Sequence, residues 1–391
     1  MSVDSKTDSQ TIIVIGSGLA AYSLVREFRK LDSETPVLII SQDDAHSYSK
    51  PMLSTGFTKN KTAEALSMAD PGKMSVQLKA SIRNFTTVTK LDPENSTIYI
   101  DDEVLTYSKL VLALGAKVNK LNFPGSDLAN VVSINDLMDY RNFRALLKPE
   151  SLTHKQHVLI MGAGLIGCEY ANDLIIGGYH VTVVDPAKTA MHGLIPSQAG
   201  EVLAEGLKNA GADMLFEHYV QHIDELEDGS VCATLNTGKK IPCDVVISAI
   251  GLKANITLAE QAGLTCRNGI ITDNHLETSA KNIFALGDCA EIQGEVRLYV
   301  LPLMASARAL AKTLAGETTP VHFGIMPIAT KTPACPVVTV PPKNKEGAWS
   351  FEQTDTGLIG KFIDSTDKTS GFVLTGGALS HKADLIKEMN R

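Results

Sequence analysis

Gly16, Gly18 and Ala21 stand at G-x-G-x-x-A spacing directly after the apolar run Thr11–Ile15. That pattern can hold a dinucleotide. Gly16 allows a tight turn out of a strand, Gly18 lets a pyrophosphate approach the backbone, and small Ala21 lets the next helix pack close to the sheet. The pyrophosphate would rest on the helix N-terminus, at Ser17, Gly18, Leu19 and Ala20, where free amides and the helix dipole favour an anion. One such motif also fits a glycine-rich turn in an ordinary α/β unit. A second follows in VLIMGAGLIGCE, where Gly162, Gly164 and Gly167 give the full three-glycine form and Leu165 and Ile166 lead into the helix. Asp185 ends the strand His180–Val184, roughly 20 residues past the glycines, where an acidic side chain hydrogen-bonds the adenosine ribose of NAD.

The corresponding ribose position of the first motif, after the strand Pro36–Ile40, holds Ser41, followed by Gln42, Asp43 and Asp44. Either one of these aspartates or the hydroxyl with local backbone serves the ribose there. Downstream, both halves read alike. The first runs through strands within Val88–Ile100 and a short strand after Asp102 to LVLALG, ending at Gly115. The second runs through Tyr219–Ile223 and Val231–Leu235 to VVISAIG, ending at Gly251. A strand in NIFALGDCA places Asp288 at its C-terminal end, the side on which open parallel sheets bind ligands. A helix N-cap is the plainer reading of that residue. Pro302 suits the first turn of a following helix and Gly316 its end. From about residue 322 short strands with prolines take over, as in KTPACPVVTVPP.

At 391 residues the chain exceeds one ordinary core. The expectation is an α/β protein with two Rossmann-like dinucleotide-binding domains and a small α+β C-terminal domain. The boundaries expected are 1–116 with 250–321 for an FAD domain, 117–249 for an NAD domain, and 322–391 for the C-terminal domain. A net charge of −8 leaves no basic excess for a nucleic-acid partner. MSVDSKTDSQ has no apolar core of a signal peptide, and the Pro302–Ala315 stretch carries Arg308 and Lys312, so neither membrane insertion nor export is expected. The location expected is the cytoplasm. The six cysteines show no C-x-x-C and no metal-ligand spacing, so no metal is expected.

G-S-G-L-A-A at 16–21, A-L-G ending at Gly115, G-A-G-L-I-G-C-E at 162–169, A-I-G ending at Gly251 and A-L-G-D at 285–288 resemble the two-dinucleotide-binding flavoproteins of glutathione reductase type. The likeness spans about residues 11–320. It implies FAD at the first motif, NAD(H) at the second, and an Asp288 that contacts the ribityl or phosphate part of FAD. Disulfide reductases of that family carry a redox cysteine pair after the second strand, and peroxide and coenzyme A disulfide reductases carry a single cysteine. Here YSKPMLSTGF places Thr55 at that position, so no thiolate is available as a nucleophile. Y-x-K-P-x-L-S resembles the ferredoxin and rubredoxin reductase branch. SYSKPMLSTGF, LIGCEYANDL, YVLPLMASARALA and KTPACP more specifically resemble the bacterial rubredoxin reductases, and that resemblance implies electrons passing from rubredoxin to an alkane hydroxylase.

By this resemblance Lys50 and Pro51 lie beside the flavin, and Lys331 reaches it from the C-terminal domain. A cation there favours the anionic reduced flavin. Val88 and Val300 lend backbone contacts to FAD, and the amides of Leu301–Met304 aim a helix dipole at its pyrimidine ring. Glu169 corresponds to a glutamate close to flavin N5 and the nicotinamide. For each charged group the plainer role is a solvated charge, or for Glu169 a favourable charge in the first helical turn. The function expected is NADH-dependent reduction of rubredoxin through FAD, with Glu169 and Lys50 nearest the chemistry. The competing readings are a ferredoxin reductase serving another oxygenase and a non-catalytic NAD-sensing flavoprotein.

Overall fold

The computed structural model describes residues 10–147 and 155–390. All but Gln10 of the polar N-terminal stretch therefore lies outside the described residues. The chain forms two compact units, one from residues up to Lys50 with Ser67–Val118 and Leu252–Gly324, the other from Pro51–Leu66, Asn119–Gly251 and Ile325 onward.

Short β-branched runs become the central strands of a parallel sheet because both of its faces are covered; in the second unit one face packs on antiparallel strands, whose Ile223, Val231 and Ala233 share a core with Leu159 and Val246. In the first unit the parallel sheet runs, in spatial order, Ile283–Ala285, Lys109–Leu112, Ile12–Ile15, Val37–Ile40 and Ser81–Arg83. Every residue of Ile12–Ile15 is buried. The strand order reverses beside this strand, which is where open parallel sheets leave a ligand crevice. The helix Leu19–Phe28 leaves it directly and packs on the helix Val300–Leu314. Ala21, Leu24, Ala307 and Ala311 are at most 1 % exposed, so small side chains bring the two axes together. Val300–Leu314 begins two residues before Pro302, which falls in its first turn.

The second unit repeats the plan. Its parallel sheet runs Val131–Val132, Val245–Ser248, His157–Met161, His180–Asp185 and Ala212–Phe216. Each sheet has a companion three-stranded antiparallel sheet: Lys90–Asp92, Thr97–Ile100 and Glu103–Thr106 in one, Val220–Glu225, Val231–Leu235 and Lys240–Cys243 in the other.

The two glycine turns are built alike down to individual contacts. Gly16 has φ +113° and Gly162 φ +106°, and a Cβ on either would lie 2.2 Å from the Ala113 carbonyl oxygen or 2.6 Å from that of Ala249. Only glycine tolerates both the dihedral and the approach. The A-L-G and A-I-G endings are thus the opposite walls of the glycine turns. Ala113 N donates to Ile15 O and Ala249 N to Met161 O, at 2.9 and 2.8 Å.

Within the second unit the C-terminal residues form an antiparallel sheet ordered Ile328–Ala329, Val337–Val340, Thr369–Thr375, Gly357–Asp364, Gly347–Thr354. Val338, Val340, Ile359, Phe372 and Leu374 face Leu385 of the helix Lys382–Met389. The helix Ser197–Ala210 also packs on this sheet, and Gly206 allows the contact, since a Cβ there would lie 2.5 Å from Cys335 Cβ.

Candidate functional site

Gly18 and Gly164 are the N-caps of the helices Leu19–Phe28 and Leu165–Ile176, and neither end has a side-chain cap. The first amides of a helix have no intrahelical partner and must find one elsewhere. A Cβ on Gly18 or Gly164 would meet no protein atom within 4 Å. Each uncapped helix end therefore opens onto space beside a glycine, the form a pyrophosphate needs. Gly167 closes the second turn, because a Cβ there would lie 1.9 Å from Gly162 O, and fully buried Ala21 takes the equivalent place in the first.

At the ends of the neighbouring strands the two units differ. Asp185 Oδ2 accepts from Ala163 N at 2.6 Å and Oδ1 from Ala187 N at 2.7 Å, so this carboxylate is tied to the glycine loop. In the first unit Ser41 replaces it. Ser17 Oγ and Ser41 Oγ lie 2.7 Å apart, and both donate to Asp43 Oδ1, at 2.9 and 2.5 Å. Asp43 Oδ1 also accepts from Ala45 N at 2.9 Å, whereas Asp44 Oδ1 accepts from His46 N at 3.0 Å. Of the two acidic candidates, Asp43 is the one joined to Ser17 and Ser41. Gln42 is exposed beside it, and Val88 is buried beyond Ser81–Arg83.

Asp288 lies in a 3₁₀ turn, Gly287–Cys289, whose N-cap is Leu286, so it does not cap that turn. Lys50 Nζ lies 3.9 Å from its Oδ2. Burial raises the Asp288 carboxyl above the ordinary carboxylate range, and the Lys50 ammonium only partly opposes this. A folded value above the unfolded one means that stability falls as pH rises through that window, with the full deficit above it. Asp288→Asn should therefore raise the melting temperature of the flavin-free protein at pH 7 by roughly 1–2 °C. The gain should shrink as pH is lowered toward about 4, which differential scanning calorimetry at stepped pH would show. Val300 opens the helix Val300–Leu314 and is 37 % exposed, as is its N-cap Tyr299, and Leu301 is 52 % exposed. Gly115, at φ +67°, stands between the strands Lys109–Leu112 and Ala116–Val118.

In the second unit Glu169 is fully buried on the helix Leu165–Ile176. Its Oε2 accepts from Ser54 Oγ at 2.6 Å and from Lys331 Nζ, and its Oε1 accepts from Lys331 N at 2.8 Å. Sequence reasoning marked Glu169 and Lys331 separately, and the structure makes them an ion pair. It also missed Ser54, Asn172 and Asp173. Glu169, Asn172 and Asp173 at i, i+3 and i+4 form a polar stripe on an apolar helix, a signal legible in LIGCEYANDLII. Pro51 is partly exposed, and Gly251, at φ +100°, ends the Val245–Ser248 side of the nucleotide turn.

Thr55 is buried and donates to Met52 O at 3.1 Å. All six cysteines are free, and burial pushes Cys243 and Cys289 up to about 12 and raises Cys168, Cys266 and Cys335 as well. A thiol whose pKa is raised in this way stays protonated at neutral pH and is a poor nucleophile. Among the described residues no group of three or more His, Cys, Asp or Glu side chains could hold a metal ion, and no helix is long and apolar enough to cross a membrane.

Paired parallel sheets with uncapped, glycine-gated helix ends define a two-dinucleotide oxidoreductase. The chain belongs to the pyridine nucleotide-disulphide oxidoreductase family, whose model matches residues 10–309, and residues 320–389 match a rubredoxin binding C-terminal domain. It is 47 % identical to a rubredoxin-NAD(+) reductase of Alcanivorax borkumensis, over 97 % of this chain and 98 % of that one. Identity to a rubredoxin-NAD(+) reductase of Acinetobacter baylyi is 42 %, over 93 % and 94 %. In fold it is similar to a putidaredoxin reductase solved in covalent complex with putidaredoxin, with a TM-score of 0.87 at 22 % identity, covering 98 % and 94 % of the two chains.

Proposed function

We propose that this protein carries electrons from NADH through FAD to rubredoxin. The observation that carries the reading is a rubredoxin binding C-terminal domain on the same chain as the two dinucleotide folds. Thr55 at the site of the family's reactive thiol supports it from the chemical side. When bound, the flavin would supply the conversion of one hydride, an electron pair, into two single electrons, which is cofactor chemistry that the protein positions.

The residues fit both cofactors. Gly16, Ser17, Gly18, Leu19 and Ala20 would hold the FAD pyrophosphate, and the joined Ser17, Ser41 and Asp43 would serve its adenosine ribose. Gln42, Val88, Gly115 and Val300 would line the rest of that site, and the family resemblance alone supports Pro51 as a flavin neighbour. Lys50 and Asp288 would face its ribityl and ring portions, where a partly buried carboxyl that costs stability is the kind of group function retains. Gly162, Gly164, Leu165, Ile166, Gly167 and Gly251 would take NADH, with Asp185 on its ribose. Glu169 would lie by the nicotinamide, held by Lys331. The domains that do this are the FAD domain at 1–116 with 250–321, the NAD domain at 117–249, and the carrier-binding domain at 322–391. The setting is the cytoplasm, which supplies NADH and keeps free thiols reduced. Resemblance to the bacterial rubredoxin reductases supports an alkane hydroxylase as the last acceptor.

Asp185 sets the nucleotide preference, since its carboxylate repels a 2′-phosphate. The kcat/KM for NADH should exceed that for NADPH by about a hundredfold or more, equivalent to about 3 kcal/mol. Asp185→Ser should lower NADH efficiency and narrow the ratio, because it removes the ribose partner and the loop tie together. Comparable efficiencies in the wild type would contradict the assignment. A second reading, a ferredoxin reductase, draws on the putidaredoxin reductase fold. Steady-state assays with NADH against rubredoxin, ferredoxin, peroxide and disulfide separate the two, with rubredoxin expected to give the highest kcat/KM. A protein that binds NADH and reduces none of them would be a sensor instead.

A further inference from the structure

The helix Leu165–Ile176 has a use beyond its N-terminus. Glu169, Asn172 and Asp173 share one of its faces and are each at most 2 % exposed. Buried polar groups of this kind are held by hydrogen bonds, and these three reach two distant stretches of chain. Asp173 accepts from Phe57 N at 3.1 Å, Thr58 N at 2.7 Å and Thr58 Oγ1 at 2.7 Å. Glu169 takes the Ser54 hydroxyl, and Asn172 Oδ1 accepts from Ala334 N at 2.9 Å, three residues past Lys331.

The stretch 54–61 is held from its other side too. The Arg144 guanidinium lies 4.0 Å over the Phe57 ring and donates to Tyr140 Oη at 2.9 Å and to Lys61 O at 3.3 Å. Gly56 has no room for a side chain, since a Cβ would lie 2.1 Å from Tyr140 Oη. Gly177, just past the helix, allows Phe57 to lie against it, for a Cβ there would come within 2.8 Å of the ring.

We infer that Asp173 is a positioning residue for electron transfer: it fixes Phe57 and Thr58 to the helix that opens on the NAD loop, and so sets the Ser54 hydroxyl on Glu169. Two of its three donors are backbone amides, so it fixes the course of the chain and not merely one side chain. Asn172 does the same for the stretch that carries Lys331. The inference rests on the NADH-to-rubredoxin reading above.

The test is stopped-flow reduction of the FAD-loaded full chain by NADH, comparing wild type, Asp173→Asn and Thr58→Val. Asparagine offers a single acceptor oxygen, and its NH₂ would face an amide donor, so it cannot satisfy both amides. The limiting rate of flavin reduction should fall about tenfold or more in Asp173→Asn, since small misplacements of a reacting group cost that much. The dissociation constant for NADH should stay within about threefold, because the Gly162–Asp185 loop is untouched. Thr58→Val, which removes one donor and keeps the shape, should lose about threefold in the same rate, and it decides the matter if Asp173→Asn does not fold. Variants that melt earlier but are reduced at the wild-type rate would make the contact structural only and overturn the inference. A wild type that NADH does not reduce overturns the functional reading, and this inference with it.

Discussion

Lys331→Met should cost about 3 kcal/mol of folding stability, and Glu169→Gln in the same chain should restore most of it. Glu169 is fully buried and its carboxylate has three donors: the Ser54 hydroxyl, the Lys331 amide and the Lys331 ammonium. Only the ammonium carries charge. Removing it strands a buried carboxylate, and breaking a buried pair in this way costs about 3–5 kcal/mol. The two neutral donors that remain, and a lysine that is itself 35 % exposed, bring the figure to the lower end. Glutamine removes the charge and still accepts one of those bonds. Urea unfolding of the single and double variants measures both effects, and a double variant no more stable than Lys331→Met would show that the charge is not the cause.

Gly16→Ala and Gly18→Ala should part company, although both sit in one motif. Alanine at Gly16 would hold φ +113° and place its Cβ 2.2 Å from the Ala113 carbonyl oxygen, a backbone atom just past the neighbouring strand Lys109–Leu112. Neither the dihedral nor the contact can relax without moving the sheet, so a loss of about 3 kcal/mol or more is expected, with little folded protein recovered. Gly18 has φ −69° and ψ −177°, which alanine adopts freely, and its Cβ would meet nothing. That variant should fold with a wild-type circular dichroism melt in the flavin-free form, yet bind FAD about a hundredfold more weakly, about 3 kcal/mol. A Gly18→Ala protein that is as yellow as the wild type would put the pyrophosphate elsewhere.

The doubled architecture is legible in the sequence because its causes are local. Apolar runs such as Ile12–Ile15 and Val158–Met161, too short for a helix and followed at once by glycines, read as buried strands, and Gly16 and Gly162 after them mark turns that no other residue can make. The residue at the position of the family thiol is equally plain, since Thr55 is read directly from the string YSKPMLSTGF. Pairing across long stretches is not legible. Nothing in the spacing says that Glu169 meets both Ser54 and Lys331, or that Asp43 meets Ser17 and Ser41, because those contacts are set by how separate elements pack. The polar stripe of Glu169, Asn172 and Asp173 passes unnoticed in an apolar helix until its partners are seen. Asp288 shows the same limit: the sequence places it at a strand end, and only the fold shows that it caps no helix and stands near Lys50.

Anaerobic stopped-flow mixing of the FAD-loaded protein with one equivalent of NADH, then with excess oxidised rubredoxin, tests the central claim most directly. The expected result is that the flavin bleaches at once and that two rubredoxins are reduced per NADH, with the same stoichiometry and rate after the folded protein has been treated with a thiol-alkylating reagent. A flavin that NADH leaves oxidised, or electron transfer that alkylation abolishes, would contradict it.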